Sequence, residues 1–327
     1  MADMQLILAP LRGYTDVVFR KVWSRYFGGF DRAMAPFIPT VTAATIRDGL
    51  LRDLLPADNR SLPVEPQLLG NRPEDFLRMA GRLFDWGYGT VNWNLGCPFP
   101  MVAKKGRGSG LLPAPDRIDA FLDQVVPALP GKLTIKIRLG RFSAGEMDGF
   151  LPVLNRYPLS EVTVHPRIAT QMYEGLPDLD GFARFLAESA HPVIYSGDIR
   201  TPGTLARLRE RFPGVSGWMV GRQAVADPFL AGRLRGQSVP LDAARQFRLF
   251  HDELMAAYGE RLDGPGHLLG RMKAFWSFFG PSLSGGRKLM KRVHRSQRLD
   301  AARNHIHRFF DTDPVWMGST EEETPWP

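Results

Sequence analysis

The chain is 327 residues long, 44% hydrophobic, with one cysteine, seven histidines and a formal net charge of +8. A single cysteine excludes an intramolecular disulfide and a cysteine-cluster metal site, and the histidines offer no close pair beyond His305 and His307, so no metal centre is expected. The N-terminal run has no basic segment ahead of its short apolar stretch, and no run approaches the roughly 18 apolar residues of a membrane span; the expectation is a monomeric cytoplasmic protein without export signal or membrane partner.

Short β-rich runs alternate with longer amphipathic stretches through the first three-quarters of the chain. Eight strands are predicted at 5–8, 32–35, 64–68, 90–94, 133–137, 161–165, 193–195 and 217–220, with helices at 16–26, 73–86, 115–126, 145–157, 180–190 and 201–211 between them. Eight β/α units in about 230 residues are the measure of a (β/α)8 TIM barrel. A doubly wound sheet would also alternate, but no Gly-x-Gly-x-x-Gly opens a first helix, and the run Gly106-Arg107-Gly108-Ser109-Gly110 lacks that spacing. From about Leu241 the pattern becomes helical only, at 242–259, 266–279, 285–295 and 298–311, which predicts a small all-α bundle. The domains expected are a barrel over 1–236, a helical domain over 237–312 and a flexible tail over 313–327.

Charge follows that division. Residues 233–308 hold 15 Lys and Arg against 6 Asp and Glu, while the rest of the chain is close to neutral. A near-neutral body joined to a basic helical segment suits a polyanion-binding enzyme, the bland alternative being a solvated face. Lys288, Lys291, Arg292 and Arg295 recur at helical spacing and are the candidate RNA contacts.

In a barrel the chemistry sits where strands end. The only cysteine, Cys97, follows the fourth strand in Asn94-Leu95-Gly96-Cys97-Pro98, where a thiol can be a nucleophile, a ligand, a proton donor or a buried apolar group. The other ends are unusually polar: Pro10-Leu11-Arg12, Gln67, Lys136 with Arg138, His165 with Arg167, Ser196-Gly197-Asp198 and Gly221-Arg222. The last two follow strands seven and eight, where barrels hold phosphate on backbone amides and a cation, so a phosphorylated cofactor is expected. Lys136 and His165 would point inward, where a cation stabilises an anionic reduced flavin, and Gln67 can donate and accept at a pyrimidine-like ring edge.

Taken together, Ala9-Pro10-Leu11-x-Gly13-x-Thr15-Asp16, Gln67-x-x-Gly70, Asn94-Leu95-Gly96-Cys97-Pro98, Gly106-x-Gly108-x-Gly110-x-Leu112, Lys136-x-Arg138-x-Gly140, His165-x-Arg167-x-x-x-Gln171-x-Tyr173, Gly197-Asp198-Ile199 and Gly221-Arg222 run in an order that resembles the tRNA-dihydrouridine synthases. The resemblance covers roughly residues 5–230 and extends to a helical C-terminal domain. It implies an FMN enzyme reduced by NADPH that delivers a hydride to C6 of a uracil in tRNA or another structured RNA, with Cys97 protonating C5. It further implies that Asn94 and Tyr173 hold the flipped base, that Arg167 lies on the substrate side, and that Pro10, Leu11, Arg12, Gln67, Lys136, His165, Ser196, Gly197, Asp198, Gly221 and Arg222 bind FMN. The chain departs from the family pattern at Leu11-Arg12, at Asn92 where an acidic residue is usual, and at Ser196 where Asn is usual. Two alternatives stand beside it: a barrel flavoprotein acting on a free pyrimidine, and an RNA-binding protein without activity.

Overall fold

The computed structural model describes residues 4–43 and 45–318. Eight parallel strands form the frame: β1 (Gln5–Leu8), β2 (Arg32–Met34 with Ile38–Pro39), β3 (Val64–Glu65 with Gln67–Leu69), β4 (Thr90–Leu95), β5 (Lys132–Gly140), β6 (Glu161–Ile168), β7 (Val193–Tyr195) and β8 (Gly217–Val220). β1 pairs with both β2 and β8, and both halves of β2 pair with the corresponding halves of β3, so the sheet closes on itself as a barrel. The break in β3 is at Pro66, which has no N–H to give a ladder; its carbonyl still accepts from Asn92 N at 2.8 Å. β5 and β6 run three residues beyond their predicted ends, with an irregularity between Arg138 and Gly140, and this carries Arg138 and Arg167 on strands rather than in loops.

Around the barrel lie α1 (Val17–Tyr26), α2 (Pro73–Asp85), α3 (Pro115–Val125), α4 (Met147–Leu154), α5 (Leu179–Glu188), α6 (Pro202–Arg211), and the short α7 (Arg222–Ala226) and α8 (Leu230–Leu234). Strand alternation divides the side chains. Val91, Trp93 and Leu95 of β4 turn out to the helices, Trp93 stacking on Phe121 at 3.9 Å between centroids and donating Nε1 to the Gly70 carbonyl at 2.9 Å. Asn92 and Asn94 therefore face the barrel axis.

Four further helices follow: α9 (Ala243–Arg261), α10 (Gly264–Phe279), α11 (Gly286–Arg295) and α12 (Leu299–Phe310). They share one apolar core with the barrel, through Phe19 against Phe250 and Phe275. Polar ties run alongside: Tyr26 to Glu253 and Tyr258 to Asp16, at 2.7 and 2.8 Å. From α10, Arg271 donates to the Gly13 carbonyl, and Tyr14 packs edge-on against Phe275 and Phe278 at 5.5 and 4.9 Å. Helix α10 thus rests on the loop that follows β1. On α11, Leu289 and Val293 are buried, while Lys288, Lys291, Arg292 and Arg295 are exposed. The segment expected as a tail begins with an anchored stretch: Val315 N donates to Ser284 Oγ and Met317 N to the Ser282 carbonyl, at 2.8 and 2.9 Å. Residues 319–327 lie outside the described residues. Among the described residues, no helix is long and apolar enough to cross a membrane and no cluster of three or more His, Cys, Asp or Glu is placed to hold a metal.

Candidate active site

Cys97 is held from two sides at the exit of β4. Asn94 Oδ1 accepts from the backbone N–H groups of Gly96 and Cys97 at 3.1 and 2.9 Å, an Asx-type turn that reverses the chain. From the other side Ser109 donates to the Cys97 carbonyl through Oγ at 2.8 Å and through its amide at 3.2 Å. Gly108, with φ of +55°, lies so close that a β-carbon there would stand 2.9 Å from Cys97 Cβ. The glycine run, uninformative as a phosphate motif, proves to be the cover on the cysteine loop. Cys97 is only 5% exposed. Burial pushes its pKa up, and the Phe99 backbone hydrogen bond and the charges of Arg12 and Arg138 offset this only in part. It stays protonated at neutral pH.

Beside it, at the ends of β5 to β8, cations gather around few anions. Lys136 donates to Ser196 Oγ at 3.1 Å, its only hydrogen-bond partner among the described residues. Burial, reinforced by Arg138, lowers its pKa from 10.5 to about 7. On β6 opposite it, Thr163 Oγ1 is buried without a partner. His165 gives Nδ1–H to the Ser196 carbonyl, which can only accept, and its Nε2 faces Arg167 at 3.4 Å. Burial and then Arg138, Lys136 and Arg167 push its pKa well below the usual value, so the ring is neutral.

Arg167, only 1% exposed, donates to Asp198 at 2.6 Å and to the carbonyls of Glu174 and Gly175 at 3.2 and 2.7 Å. These contacts tie the loop after β6 to the loop after β7. Asp198 is shared with Arg222 at 2.6 Å, and although burial raises its pKa, the Arg167 hydrogen bond and the charges of Arg167, Arg222 and Arg200 bring it below the usual carboxylate range. Tyr173, 39% exposed, has two guanidinium groups over its ring, Arg138 at 5.3 Å and Arg222 at 5.1 Å from the ring centre. Its loop carries one strained residue, Met172 at φ of +53°.

The predicted residues at the ends of β4 to β8 thus form one connected set. Arg138, read in the sequence as a polar strand end without an assigned role, proves central: it donates to the carbonyls of Gly96 at 3.1 Å and Ile168 at 2.9 Å, joining the cysteine loop to the tyrosine loop. Its third contact, with Tyr173, depends on a spacing of 35 positions that sequence pattern does not expose. Gln67 is 1% exposed, with Nε2 donating to Asn92 at 2.8 Å and Oε1 accepting from Asn94 at 2.8 Å, so it joins the two asparagines of β4. Leu11 lies near Gly221, and Arg12 stands over the Phe37 ring at 5.5 Å. Pro10, Gly197 and Gly221 line the same loops. Lys288, Lys291, Arg292 and Arg295 stand apart on α11.

The donor set has a chemical preference. A lysine with one neutral partner and a depressed pKa, an orphaned hydroxyl and an arginine at the β8 exit fit an anionic, electron-rich ligand, and a flavin phosphate meets that description.

A family model described as dihydrouridine synthase matches residues 7–256. The tRNA-dihydrouridine(16) synthase of Ralstonia nicotianae is 30% identical over 248 residues, 73% of this chain and 76% of that protein. The tRNA-dihydrouridine synthase B of Pseudomonas aeruginosa is 27% identical over 318 residues, 94% and 92% of the two. Among solved structures, the old yellow enzyme from Trypanosoma cruzi is matched over 73% of this chain and 91% of that one, at 10% identity and a TM-score of 0.49.

Proposed function

Because this chain belongs to the dihydrouridine synthase family, we propose that it reduces the C5–C6 bond of a uridine in tRNA, with FMN held at the barrel mouth and NADPH as reductant. The enzyme is a flavin-dependent oxidoreductase. When bound, the flavin supplies the hydride that adds to C6. The rest of the chemistry belongs to the chain's own side chains.

Lys136 would lie against the flavin ring and Arg222 near its phosphate, with the loop amides of Gly197, Asp198 and Gly221 and the backbone of Pro10, Leu11 and Arg12 completing the cradle. Ser196 orients both Lys136 and His165, one through its hydroxyl and the other through its carbonyl. Neutral His165, its Nδ1–H given to Ser196, presents Nε2 as an acceptor without adding a cation. Asn94 keeps one Nδ2 proton beyond its bond to Gln67, enough to recognise a uracil carbonyl. Tyr173, held by two guanidinium groups over its ring, would meet an extruded base with the part of the side chain that stays exposed. Extrusion from folded RNA costs a few kcal/mol, and the exposed cations of α11 would supply the grip that offsets it.

The observation that carries the reading is the state of Cys97: the lone thiol of the chain, buried, kept protonated, and placed at the same rim as Lys136 and His165. A thiol in that state is a proton donor for C5, not a thiolate nucleophile. The test is an anaerobic cycle: the visible spectrum of the purified protein, bleaching by NADPH, and recovery on adding unmodified tRNA, with dihydrouridine mapped by mass spectrometry. Flavin colour restored by tRNA supports the proposal. Restoration by a free pyrimidine would replace it with a dehydrogenase of small molecules, and a colourless protein that binds RNA would replace it with a binding module.

A further inference from the structure

Beneath the rim a single run of hydrogen bonds crosses the barrel interior. Cys97 N–H donates to Asn94 Oδ1 at 2.9 Å, Asn94 Nδ2 to Gln67 Oε1 at 2.8 Å, Gln67 Nε2 to Asn92 Oδ1 at 2.8 Å, and Asn92 Nδ2 to Thr134 Oγ1 at 2.8 Å. Thr134 Oγ1 in turn donates to Glu65, on the half of β3 that lies away from the rim. Glu65 is paired with Arg32, whose second amino group reaches both oxygens of Glu161 at 2.7 and 2.6 Å.

Every link points the same way. A backbone N–H can only donate and a carboxylate can only accept, so the two ends dictate how three amides and one hydroxyl are turned. Turning any one of them round sets donor against donor in a space closed to water, which is disfavoured. Asn92 is the pivot. A carboxylate at 92 has no proton to give Thr134 and would compete with Glu65 for the one that Thr134 holds.

We propose that Glu65, acting through Thr134, Asn92, Gln67 and Asn94, is a positioning residue for Cys97: the buried carboxylate sets the direction of the chain, and the chain holds the cysteine loop closed from a site on the far half of the barrel. Its catalytic consequence rests on the reading of Cys97 as proton donor, but the positioning itself is read on the thiol alone. Because Cys97 is the only cysteine, its alkylation by iodoacetamide in the oxidised, flavin-loaded enzyme reports the loop without RNA or reductant, and gives the same answer whether or not a uridine is ever reduced.

Thr134→Val keeps the shape and removes the link, leaving the Asn92 amide without an acceptor. Alkylation at pH 8 is expected to rise about tenfold and its pH midpoint to fall toward that of a free thiol, with flavin retained, and Thr134→Ser should restore the original values. Asn92→Asp is the second variant. The groups facing that position are Gln67, Thr134 and Glu65, with Arg32 and Glu161 beyond. The same rise is expected at pH 8, shrinking relative to wild type near pH 6 as the new carboxyl pair takes up a proton. Wild-type alkylation in Thr134→Val, or a rise that serine does not reverse, would overturn the proposal. Should the valine variant fail to fold, Asn92→Asp decides: a pH-dependent rise supports it, and wild-type alkylation at both pH values refutes it.

Discussion

Lys136 gives the site a measurable proton account. Its amine, ordinarily at 10.5, is held at about 7 in the protein alone. At pH 8 about nine molecules in ten then carry it neutral. A flavin ring edge that gains negative character prefers the ammonium, so binding must return the missing proton: about 0.9 per FMN at pH 8 and about 0.5 at pH 7, by linkage. The sign follows. Binding raises this pKa, so affinity is flat below pH 7 and falls above it, by up to tenfold or about 1.4 kcal/mol per pH unit. Around Lys136, burial moves the Cys97 thiol up, Arg138 titrates at about 10, and His165 is held well below its ordinary value. The flavin phosphate titrates near 6. Calorimetric titration of apoprotein with FMN, in two buffers of different ionisation enthalpy, measures the proton count directly. Lys136→Met should bind more weakly and take up none. A wild-type protein that binds with no buffer dependence at pH 8, or a methionine variant with the same uptake, would refute the placement of Lys136 against the flavin.

Cys97→Ala should keep FMN and its reduction by NADPH while losing about a hundredfold or more of dihydrouridine formation, the usual contribution of a positioned general acid; full product yield would remove the thiol from the chemistry. Reversing charge at Lys288, Arg292 and Arg295 should weaken tRNA binding and flatten its dependence on salt by about two to three in the log–log slope, with the flavin spectrum unchanged; an unaltered slope would make that face of α11 merely solvated. Arg167→Met leaves Asp198 with fewer partners and frees the loop that carries Tyr173. A loss of about 3 kcal/mol is expected in denaturant unfolding, together with a higher KM for tRNA, and a variant as stable as wild type would contradict the clamp.

Much of this was legible from sequence because barrel strands are short, β-rich and bounded by turn residues. β1, β7 and β8 match their predicted bounds, and the polar residues at strand ends proved to share a rim. The helical periodicity after Leu241 gave α9 to α12 within a few residues. What pattern alone could not expose is partnership across the sheet. Arg167 and Arg138 read alike as strand-end cations, yet one binds Asp198 and two carbonyls beside His165 while the other bridges three strand exits. The interruption of β3 at Pro66 was equally hidden, since a proline inside a β-rich run leaves the hydrophobic pattern intact and changes only the hydrogen bonding. The amide chain below Cys97 depends on strand register, a property of pairs and not of any one segment.

The seat of α10 on the loop after β1 bears on how such a protein can be recombined. Arg271 holds the Gly13 carbonyl and Phe275 and Phe278 enclose Tyr14, the two residues that directly follow Pro10-Leu11-Arg12. The seam between the barrel and the last four helices therefore does not coincide with any point in the chain where the sequence could be cut and rejoined. Exchanging the helical segment with that of a relative would import a surface fitted to a different β1 loop and disturb the site at its first strand. The natural unit of transfer is a discontinuous one, the loop at 10–14 together with the helices from 243 onward.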